Sequence, residues 1–339
     1  MHTPDMKLGT GLFTGQRRPD DDRSMSELYD EILTLGRAID DAGLDSAWVS
    51  EHHFAGDGYL SGTMPTLGAL AAATDEVEIG TCIALAPLYD GVRLAEDAAT
   101  VDLLADGRLT LGLAIGSNPD EFEQFGVPRE ERAERLADQV NLLRAAWSAG
   151  PLDYDADFHD VVPDVSVTPK PDGDVPILLG GAAKPAVRRA ARTADAWCAP
   201  SKLSLSGIEK RVDDIRNVRE KDGIDGEFTV YALVHGWVDD SREAAWETMK
   251  PGYFYLQRRY AEIFSGESVD ELTAERKQEL KENAVFGTTE QVATELERYR
   301  AAAGDDVHII FRTYHPGIGT DAMVDCIDRL GTEVAPMIQ

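Results

Sequence analysis

Cysteine and basic residues are scarce in this sequence of 339 residues. It contains three cysteines, at positions 82, 198 and 326, and their wide spacing gives no CxxC pair. We therefore expect neither a disulfide framework nor a zinc site, and we predict no metal site of another kind. Lys and Arg total 33 against 62 Asp and Glu, a formal net charge of −29. This acidity disfavours nucleic acid and anionic membranes as partners, because both attract clustered Lys and Arg.

A long apolar run and an apolar leader are also missing. The longest nearly uninterrupted apolar stretch, around residues 79–88, is too short to span a bilayer. The first residues, MHTPDMKLG, have no apolar run behind a basic start, so we expect no signal peptide. These absences predict a cytoplasmic protein, and its 43% of hydrophobic residues suffice for a large core.

The excess of acidic residues has two interpretations. One is an acidic site for cations, and the other is a solvated surface adapted to high salt, where screening within roughly 3 Å at 1 M salt weakens self-repulsion. The acidic residues are spread along the whole chain rather than clustered. We therefore favour the salt-adapted, halophilic surface, which says little about activity.

Strand and helix patterns alternate along the chain. Leu28, Ile32, Leu35 and Ile39 form one apolar stripe of a helix over 26–42. Similar helical patterns follow each of eight predicted strands, at 6–13, 44–54, 77–86, 107–116, 175–181, 195–199, 228–238 and 307–314. Strict alternation predicts parallel strands with helical crossovers, and eight such units predict a closed (β/α)8 TIM barrel. An open doubly wound sheet is the second choice, but the sequence has no acceptable dinucleotide-binding glycine motif.

The predicted α/β barrel is a single domain over 1–339, and its largest insertion, 239–286, follows the seventh strand. This segment is too long and too aromatic for a plain connection. It is either a lid over the barrel mouth or a helical hairpin that builds a subunit interface. Within it, Tyr253 and Tyr255 are predicted substrate contacts, together with Arg312 at the end of the eighth strand.

The carboxyl ends of barrel strands are where chemistry is expected. Adjacent histidines in SEHHF (50–54) are expected to point to opposite sides of a strand, so they are poor candidates for one shared metal ion. One of them can carry protons at the mouth, or both are polar rim residues without chemistry. In LLGGAAKP (178–185), two glycines, a helix start and Lys184 favour a phosphate cradle, although an ordinary tight turn has the same pattern. GTCIALAP (80–87) forms either an apolar wall for a flat ring or plain strand core.

These segments together resemble one family. SEHHF, GTCIALAPLYDGVRLAED, GRLTLGLAIG with EFEQFG, PILLGGAAKPAVRRAA and FGTTEQVATELERYRAAAG resemble, in order and over essentially the whole chain, the bacterial luciferase-like flavin-dependent monooxygenase superfamily. The resemblance implies a (β/α)8 barrel with a flavin at its C-terminal mouth, and a homodimer. It implies that His52, the first histidine of EHHF, assists catalysis beside the isoalloxazine.

The resemblance also implies where the flavin is held. A non-prolyl cis peptide, here Cys82–Ile83, backs the ring, and the loop after strand five holds the phosphate. Luciferases carry Cys-Arg near the end of strand four and Glu-Ser after strand five, and this chain lacks both pairs. It is therefore expected to be a relative that emits no light and grips the phosphate differently. The expected cofactor contacts are Cys82, Ile83, Ala114, Gly116, Ser117, Gly180, Gly181, Ala182 and Lys184.

The resulting functional prediction is a reduced-FMN-dependent monooxygenase that acts on a small organic substrate. No NAD(P)H fingerprint is visible, so a separate flavin reductase is expected to supply reduced FMN. Two alternatives stay open. One is hydride transfer with an 8-hydroxy-5-deazaflavin coenzyme, which the small residues at strand ends four and five also suit. The other is a flavin-binding relative without catalysis.

Overall fold

Eight parallel strands form a ring in the structure, a computed structural model that describes residues 6–159, 161–162, 164–265 and 269–338. The ring strands are β1 (Lys7–Phe13), β2 (Ser46–Val49), β3 (Glu78–Thr81), β5 (Leu109–Ala114), β6 (Ile177–Gly180), β7 (Ala196–Ala199), β8 (Thr229–Val238) and β10 (His308–Arg312). Strand β10 pairs with both β1 and β8, which closes the ring. Two short strands, β4 (Ala84–Leu85) and β9 (Val285–Gly287), pair with β5 and β8. The predicted (β/α)8 barrel is confirmed.

Helices connect the strands and cover the ring. They are α1 (Met25–Asp41), α2 (Thr63–Ala73), α3 (Gly91–Leu104), α4 (Pro119–Phe125), α5 (Arg132–Trp147), α6 (Lys184–Thr193), α7 (Leu205–Asp222), α8 (Arg242–Ser265), α9 (Ala274–Asn283), α10 (Thr289–Ala303), α11 (Thr320–Arg329) and α12 (Ala335–Ile338). Helix α1 illustrates why they form where they do. A capping box of Ser24 and Glu27 satisfies its first N–H groups, and the predicted apolar stripe is buried. Among the described residues, no helix has the length and apolarity that crossing a membrane requires.

The barrel interior sets the direction of the side chains at its mouth. Along a strand, every second residue points to the same side. Tyr231 of β8 and Ile310 of β10 belong to a small buried cluster inside the ring, whereas Ile309 packs in the larger core shared with the helices. Arg312 lies two residues beyond Ile310, so it continues the inward series at the carboxyl end of β10. In the strand register, Arg312 is opposite His235 of β8.

Two strand predictions were wrong in their bounds. Strand β2 ends at Val49 rather than at position 54, so the two histidines of SEHHF lie in the following loop, where hydrogen bonds and not strand alternation orient them. The predicted strand over 77–86 is divided into β3 and β4. Gly80 is opposite Thr110 and Ala84 is opposite Leu113, so one extra residue bulges out of the ladder between them. The Cys82–Ile83 peptide in this interruption is cis.

The acidic connection after the fourth predicted strand contains a helix that the sequence analysis missed. Asn118 accepts a hydrogen bond from the Asp120 N–H at 3.1 Å, and Pro119 occupies the first turn of α4. Both features favour a helix start. The long insertion 239–286 is also helical. Its helix α8 places Trp246, Met249 and Tyr253 in the same buried core as the barrel helices.

Candidate active site

His52 and Glu121 form a buried pair at the carboxyl end of the barrel. His52 is 8% exposed, and its Nδ1 lies 2.9 Å from Oε1 of the fully buried Glu121. The same oxygen accepts the backbone N–H of His53 at 2.9 Å. Because a carboxylate can only accept from Nδ1, the proton of a neutral imidazole lies on Nδ1. Nε2 of His52 then carries the lone pair and can accept a proton, which is the chemistry expected of a general base or acid.

His53 binds a different carboxylate. Its Nε2 lies 2.7 Å from Oε1 of Glu51, which is 1% exposed. Glu51 also accepts the backbone N–H of Leu85 and the hydroxyl of Tyr89, at 2.7 and 2.8 Å. This carboxylate therefore joins the loop after β2 to strand β4. The two histidines do not converge, and no group of three His, Cys, Asp or Glu in the described part of the chain could hold a metal ion.

An aromatic wall surrounds His52. The Tyr59 ring meets the imidazole edge to face, with centroids 4.8 Å apart, and Tyr260 and Phe264 lie at 6.1 Å each. Tyr260 and Phe264 stack on each other and both belong to α8. The long insertion thus contributes directly to the surroundings of His52.

A chain of hydrogen bonds leads from this wall into the barrel. The Tyr59 hydroxyl donates to Ser50 at 3.0 Å and lies 2.9 Å from the hydroxyl of Tyr260. Nη1 of Arg312 donates to the Tyr260 hydroxyl at 2.9 Å. Burial raises the pKa of Tyr59 well above its usual value, so its hydroxyl stays protonated. These hydrogen bonds connect the Arg312 guanidinium, through Tyr260, to the aromatic wall around His52.

Two uncharged histidines lie near Arg312. Burial lowers the pKa of His235, and the charge of Arg312 lowers it further. The same two causes lower the pKa of His315 to about 3. Both rings are therefore neutral around neutral pH and do not compete with Arg312 for an anion.

The opposite half of the mouth is small and apolar. Cys82 is buried with its Sγ 3.5 Å from Sγ of Cys198, and Ile83 packs on the cluster inside the barrel. The hydrogen bond with Cys82 raises the pKa of Cys198, so this thiol is no nucleophile at neutral pH. A Cβ on Gly180 would lie 2.1 Å from Cδ1 of Ile83. A side chain at position 180 would therefore make Ile83 shift from its present position.

The turn between β6 and α6 carries positive charge next to free backbone. Helix α6 begins after Ala183, and among the described residues no side chain caps its first turn. Lys184 is half-exposed and pairs with Asp214 at 3.0 Å. Arg211 donates to the Ala182 carbonyl at 2.9 Å and also pairs with Asp214. On the neighbouring loop, Arg129 donates to the carbonyl of Ser117 at 3.1 Å.

Comparison with known proteins identifies the family. The model of the luciferase-like monooxygenase domain matches residues 6–312. The chain belongs to the luciferase-like monooxygenase family. It is 24% identical over 343 residues to the oxygenase component of the flavin-dependent trigonelline monooxygenase of Acinetobacter baylyi, a match that covers 96% of this chain and 94% of that protein. The predicted enzyme class, a luciferase-like flavin-dependent monooxygenase, is confirmed.

Solved structures share the fold over nearly the whole chain. A monooxygenase from Streptomyces bottropensis matches with a TM-score of 0.87 at 21% identity, covering 98% of this chain and 99% of that one. The oxygenating constituent of the Pseudomonas putida 3,6-diketocamphane monooxygenase, in complex with FMN, matches with a TM-score of 0.77 at 17% identity. An F420-dependent secondary alcohol dehydrogenase matches with a TM-score of 0.74 at 18% identity. Both of these matches cover 99% of each chain.

The mouth of this luciferase-like barrel fits a flavin. Ile83 over the buried cluster gives an apolar floor for a ring system, next to the small side chain of Ala114. The uncapped start of α6, with Lys184, offers N–H groups and a cation to a phosphate. Gly116 has a φ of 69° and its Cβ would lie 3.1 Å from the Phe122 ring, so this turn also needs glycine. The cis peptide occurs at Cys82–Ile83, where the resemblance implies it.

The predicted substrate residues are not all brought together. Arg312 reaches the wall of His52 through Tyr260. Tyr253 is 2% exposed, its ring lies 4.7 Å from that of His235, and its hydroxyl donates to a backbone carbonyl of α9. The Tyr255 hydroxyl donates to Asp57 at 2.9 Å. Neither tyrosine contacts His52, and a substrate role for them stays a prediction.

Four residues near the barrel mouth were not singled out from the sequence: Glu121, Tyr59, Tyr260 and Arg129. A signal for Glu121 exists in the letters NPDEFEQFG, because Asn before Pro and two acids is typical of a helix start. That helix would place Glu121 in its first turn at the barrel mouth. We find no comparable signal for Tyr260, which reaches the site only through the course of α8.

Proposed function

We propose that this protein is the oxygenase of a two-component system, which uses reduced FMN and molecular oxygen to oxygenate a small organic substrate. The observation that carries the proposal is the His52–Glu121 pair, which leaves the lone pair of a neutral His52 ring on Nε2, at the barrel end that also holds the apolar surface of Ile83. The trigonelline monooxygenase relative is named as an oxygenase component, and the diketocamphane enzyme was solved with FMN. Both support FMN and a separate reductase for this chain.

FMN would be held by two groups of residues. Cys82, Ile83 and Ala114 would support the ring, and the backbone at Gly116 and Ser117 would border it. The phosphate would lie at the start of α6, contacted by Gly180, Gly181, Ala182 and Lys184. Arg129 beside Ser117 is a candidate for the cation that luciferases provide from strand four. When bound, reduced FMN supplies the electrons that activate oxygen.

The protein side of the reaction is proton handling and exclusion of water. His52 would give a proton to, or take one from, the reacting oxygen through Nε2. Glu121 would keep the ring oriented and stabilise the imidazolium whenever His52 holds a second proton. Tyr59, Tyr260 and Phe264 would keep water from the reacting atoms.

The deazaflavin alternative has its own support. Ala114 and Gly180 leave the cofactor half of the mouth with little side-chain volume, and an F420-dependent dehydrogenase shares the fold. A deazaflavin enzyme would turn over without oxygen, whereas an FMN monooxygenase consumes it. The third possibility, a flavin-binding protein without catalysis, would bind flavin but show neither substrate-dependent oxygen uptake nor anaerobic turnover.

The deciding experiment compares the two cofactors on one preparation. We expect FMN, reduced in the absence of air, to bind in a fluorescence-quenching titration and to support substrate-dependent oxygen uptake when air is admitted. Tight deazaflavin binding with anaerobic turnover, together with no FMN binding, would replace this proposal with the alternative.

We further propose that 239–286 acts as a lid and that the protein is a salt-adapted cytoplasmic homodimer. The lid is supported by α8, which supplies Tyr260 and Phe264 to the wall around His52. Limited proteolysis should cut within 239–286 in the free protein and more slowly with FMN, and an equal rate would contradict the lid.

Light scattering in 2 M and 0.1 M KCl tests the dimer, and melting temperatures at both concentrations test the salt adaptation.

A further inference from the structure

Arg312 is a fully buried cation without a carboxylate partner among the described residues. Its exposed fraction is 0%, and its side chain lies at the inner end of β10. Several partly buried arginines do have such partners. Arg23 pairs with Asp21 at 2.6 Å, and Arg259 pairs with Asp57 at 3.1 Å. In a chain with 62 acids, a buried arginine without one is unusual, because buried charges are normally paired.

The hydrogen bonds of Arg312 leave part of its donor set unused. A guanidinium has five N–H groups. In the described structure, Nε donates to the Tyr314 carbonyl at 3.0 Å, Nη1 to the Tyr260 hydroxyl at 2.9 Å and Nη2 to the Thr14 hydroxyl at a long 3.4 Å. Two N–H groups of Arg312, one on each terminal nitrogen, therefore have no acceptor among the residues that the structure describes. Arg108 shows the contrast, because four oxygen acceptors surround its two terminal nitrogens.

The described histidines next to Arg312 supply no compensating negative charge. His235, opposite it in the strand register, is 3% exposed, and its Nδ1 has no partner among the described residues. His315 is 1% exposed and its Nδ1 is equally without a partner there. Both rings are neutral, and the other contacts of Arg312 are hydroxyls and a carbonyl. The described surroundings of Arg312 are thus polar and carry a net positive charge.

We propose that Arg312 binds a carboxylate of the organic substrate. The planar fork of two terminal nitrogens matches the two oxygens of a carboxylate. Tyr260 covers Arg312, so its ring would move aside as the substrate enters, and its hydroxyl now takes an N–H that a carboxylate oxygen would take. Because the Tyr260 ring is 6.1 Å from the His52 ring, a substrate anchored on Arg312 would extend toward His52. This inference rests on the proposed function and adds the substrate class to it.

The aromatic wall indicates the rest of the ligand. Tyr59, Tyr260 and Phe264 suit a flat apolar body between the carboxylate and the reacting carbon. Reduced flavin is a second possible anion for Arg312, because its pyrimidine ring carries a negative charge. The reduction potential of bound FMN is therefore measured in the same variants. If Arg312 contacts the cofactor and not the substrate, Arg312→Met would shift this potential and leave carboxylate binding unaffected.

The test measures binding to the flavin-free protein by calorimetry, with two matched pairs of probes, benzoate with benzamide and hexanoate with hexanamide, at one KCl concentration. We expect the acid of at least one pair to bind at least about tenfold more tightly than its amide, equivalent to about 1.4 kcal/mol. In Arg312→Met the acid and the amide should bind equally. Arg312→Lys, which keeps the charge and loses the fork, should reduce the preference severalfold. Arg144→Met removes a half-exposed arginine paired with Asp195 and should change nothing.

Equal binding of acid and amide in both pairs, or an acid preference that survives in Arg312→Met, would overturn the inference. A shift in the potential of bound FMN with carboxylate binding unchanged would assign Arg312 to the cofactor and would overturn it as well. If Arg312→Met does not fold, Arg312→Lys and Tyr260→Phe take its place. Tyr260→Phe removes one acceptor and should keep the acid preference. Since no flavin is present in the binding arm, failure of the FMN proposal and failure of this inference give different results.

Discussion

Oε1 of Glu121 lies 2.9 Å from Nδ1 of His52 and 2.9 Å from the backbone nitrogen of His53. One oxygen from the first turn of α4 therefore orients the imidazole and holds the loop that carries it. This relationship makes Glu121 a positioning residue for His52, and it can be tested separately from turnover.

The first prediction concerns the tautomer of His52. Nitrogen-15 NMR at pH 8 should find the neutral His52 ring protonated on Nδ1, and Glu121→Ala should lose this preference because the acceptor is gone. Glu121→Gln keeps an oxygen acceptor and should restore the tautomer. Turnover should fall by roughly 10²–10⁴-fold in His52→Ala, by a similar factor in Glu121→Ala, and much less in Glu121→Gln. A wild-type ring protonated on Nε2 would contradict the assignment.

The second prediction concerns the apolar floor. Gly180→Ala places a methyl group 2.1 Å from the present position of Ile83 Cδ1, so the Ile83 side chain must shift away from it. We expect about 1–3 kcal/mol of destabilisation from overpacking and at least about tenfold weaker FMN binding in a quenching titration. Gly68→Ala is the matched control, since a Cβ there meets no atom within 4 Å among the described residues. Unchanged FMN affinity in Gly180→Ala would remove this floor from the cofactor site.

The third prediction concerns acid stability. Burial lowers the pKa of His308 to about 3, below the ordinary value of 6.5. His308 is therefore neutral in the folded protein, while the unfolded chain binds a proton below pH 6.5. Its contribution is complete above pH 6.5 and is lost as pH falls toward 3, by about 1.4 kcal/mol per pH unit.

Urea unfolding of the wild type and of His308→Gln, at pH 7, 5.5 and 4.5 in constant salt, checks this linkage. Gln keeps a polar partner for Ser46, whose hydroxyl lies 2.7 Å from His308 Nε2. The free energy of unfolding of the wild type should fall faster with decreasing pH than that of the variant. The two slopes should differ by about 1.4 kcal/mol per pH unit, which corresponds to one proton. Parallel curves would contradict the role of His308.

The fourth prediction concerns how α8 is anchored. Oδ2 of Asp57 accepts from Gln16 at 2.8 Å, from Tyr255 at 2.9 Å and from Arg259 at 3.1 Å, and the last two are on α8. Asp57→Ala removes all three bonds and should speed tryptic cleavage within 239–286 by at least about tenfold, through easier local opening. Asp20→Ala breaks an exposed pair with Arg18 and should leave the rate unchanged. Equal rates in both variants would show that α8 is held by its apolar face alone.

Alternation of strand and helix patterns was enough to predict the barrel, because that pattern reports which faces are buried. His52 could be singled out because its motif resembles a family motif. Glu121 and Tyr260 could not, since one depends on the turn that starts α4 and the other on the path of a 24-residue helix across the mouth. The strand bounds were wrong where the backbone leaves the ladder, at Val49 and between β3 and β4. Between β3 and β4 the apolar sequence continues, so periodicity gives no sign of the interruption there. After Val49 the polar run 50–53 begins, and the predicted strand wrongly includes it.

The origin of the residues at the mouth has an evolutionary consequence. Acid–base residues come from the loop after β2 and from α4, whereas Tyr260 and Phe264 come from the insertion after β8. Selection can therefore alter the insertion, and with it the choice of substrate, while leaving inherited oxygen chemistry intact. Exchange of 239–286 between relatives would therefore be one way for an ancestral barrel to give rise to enzymes with different substrates.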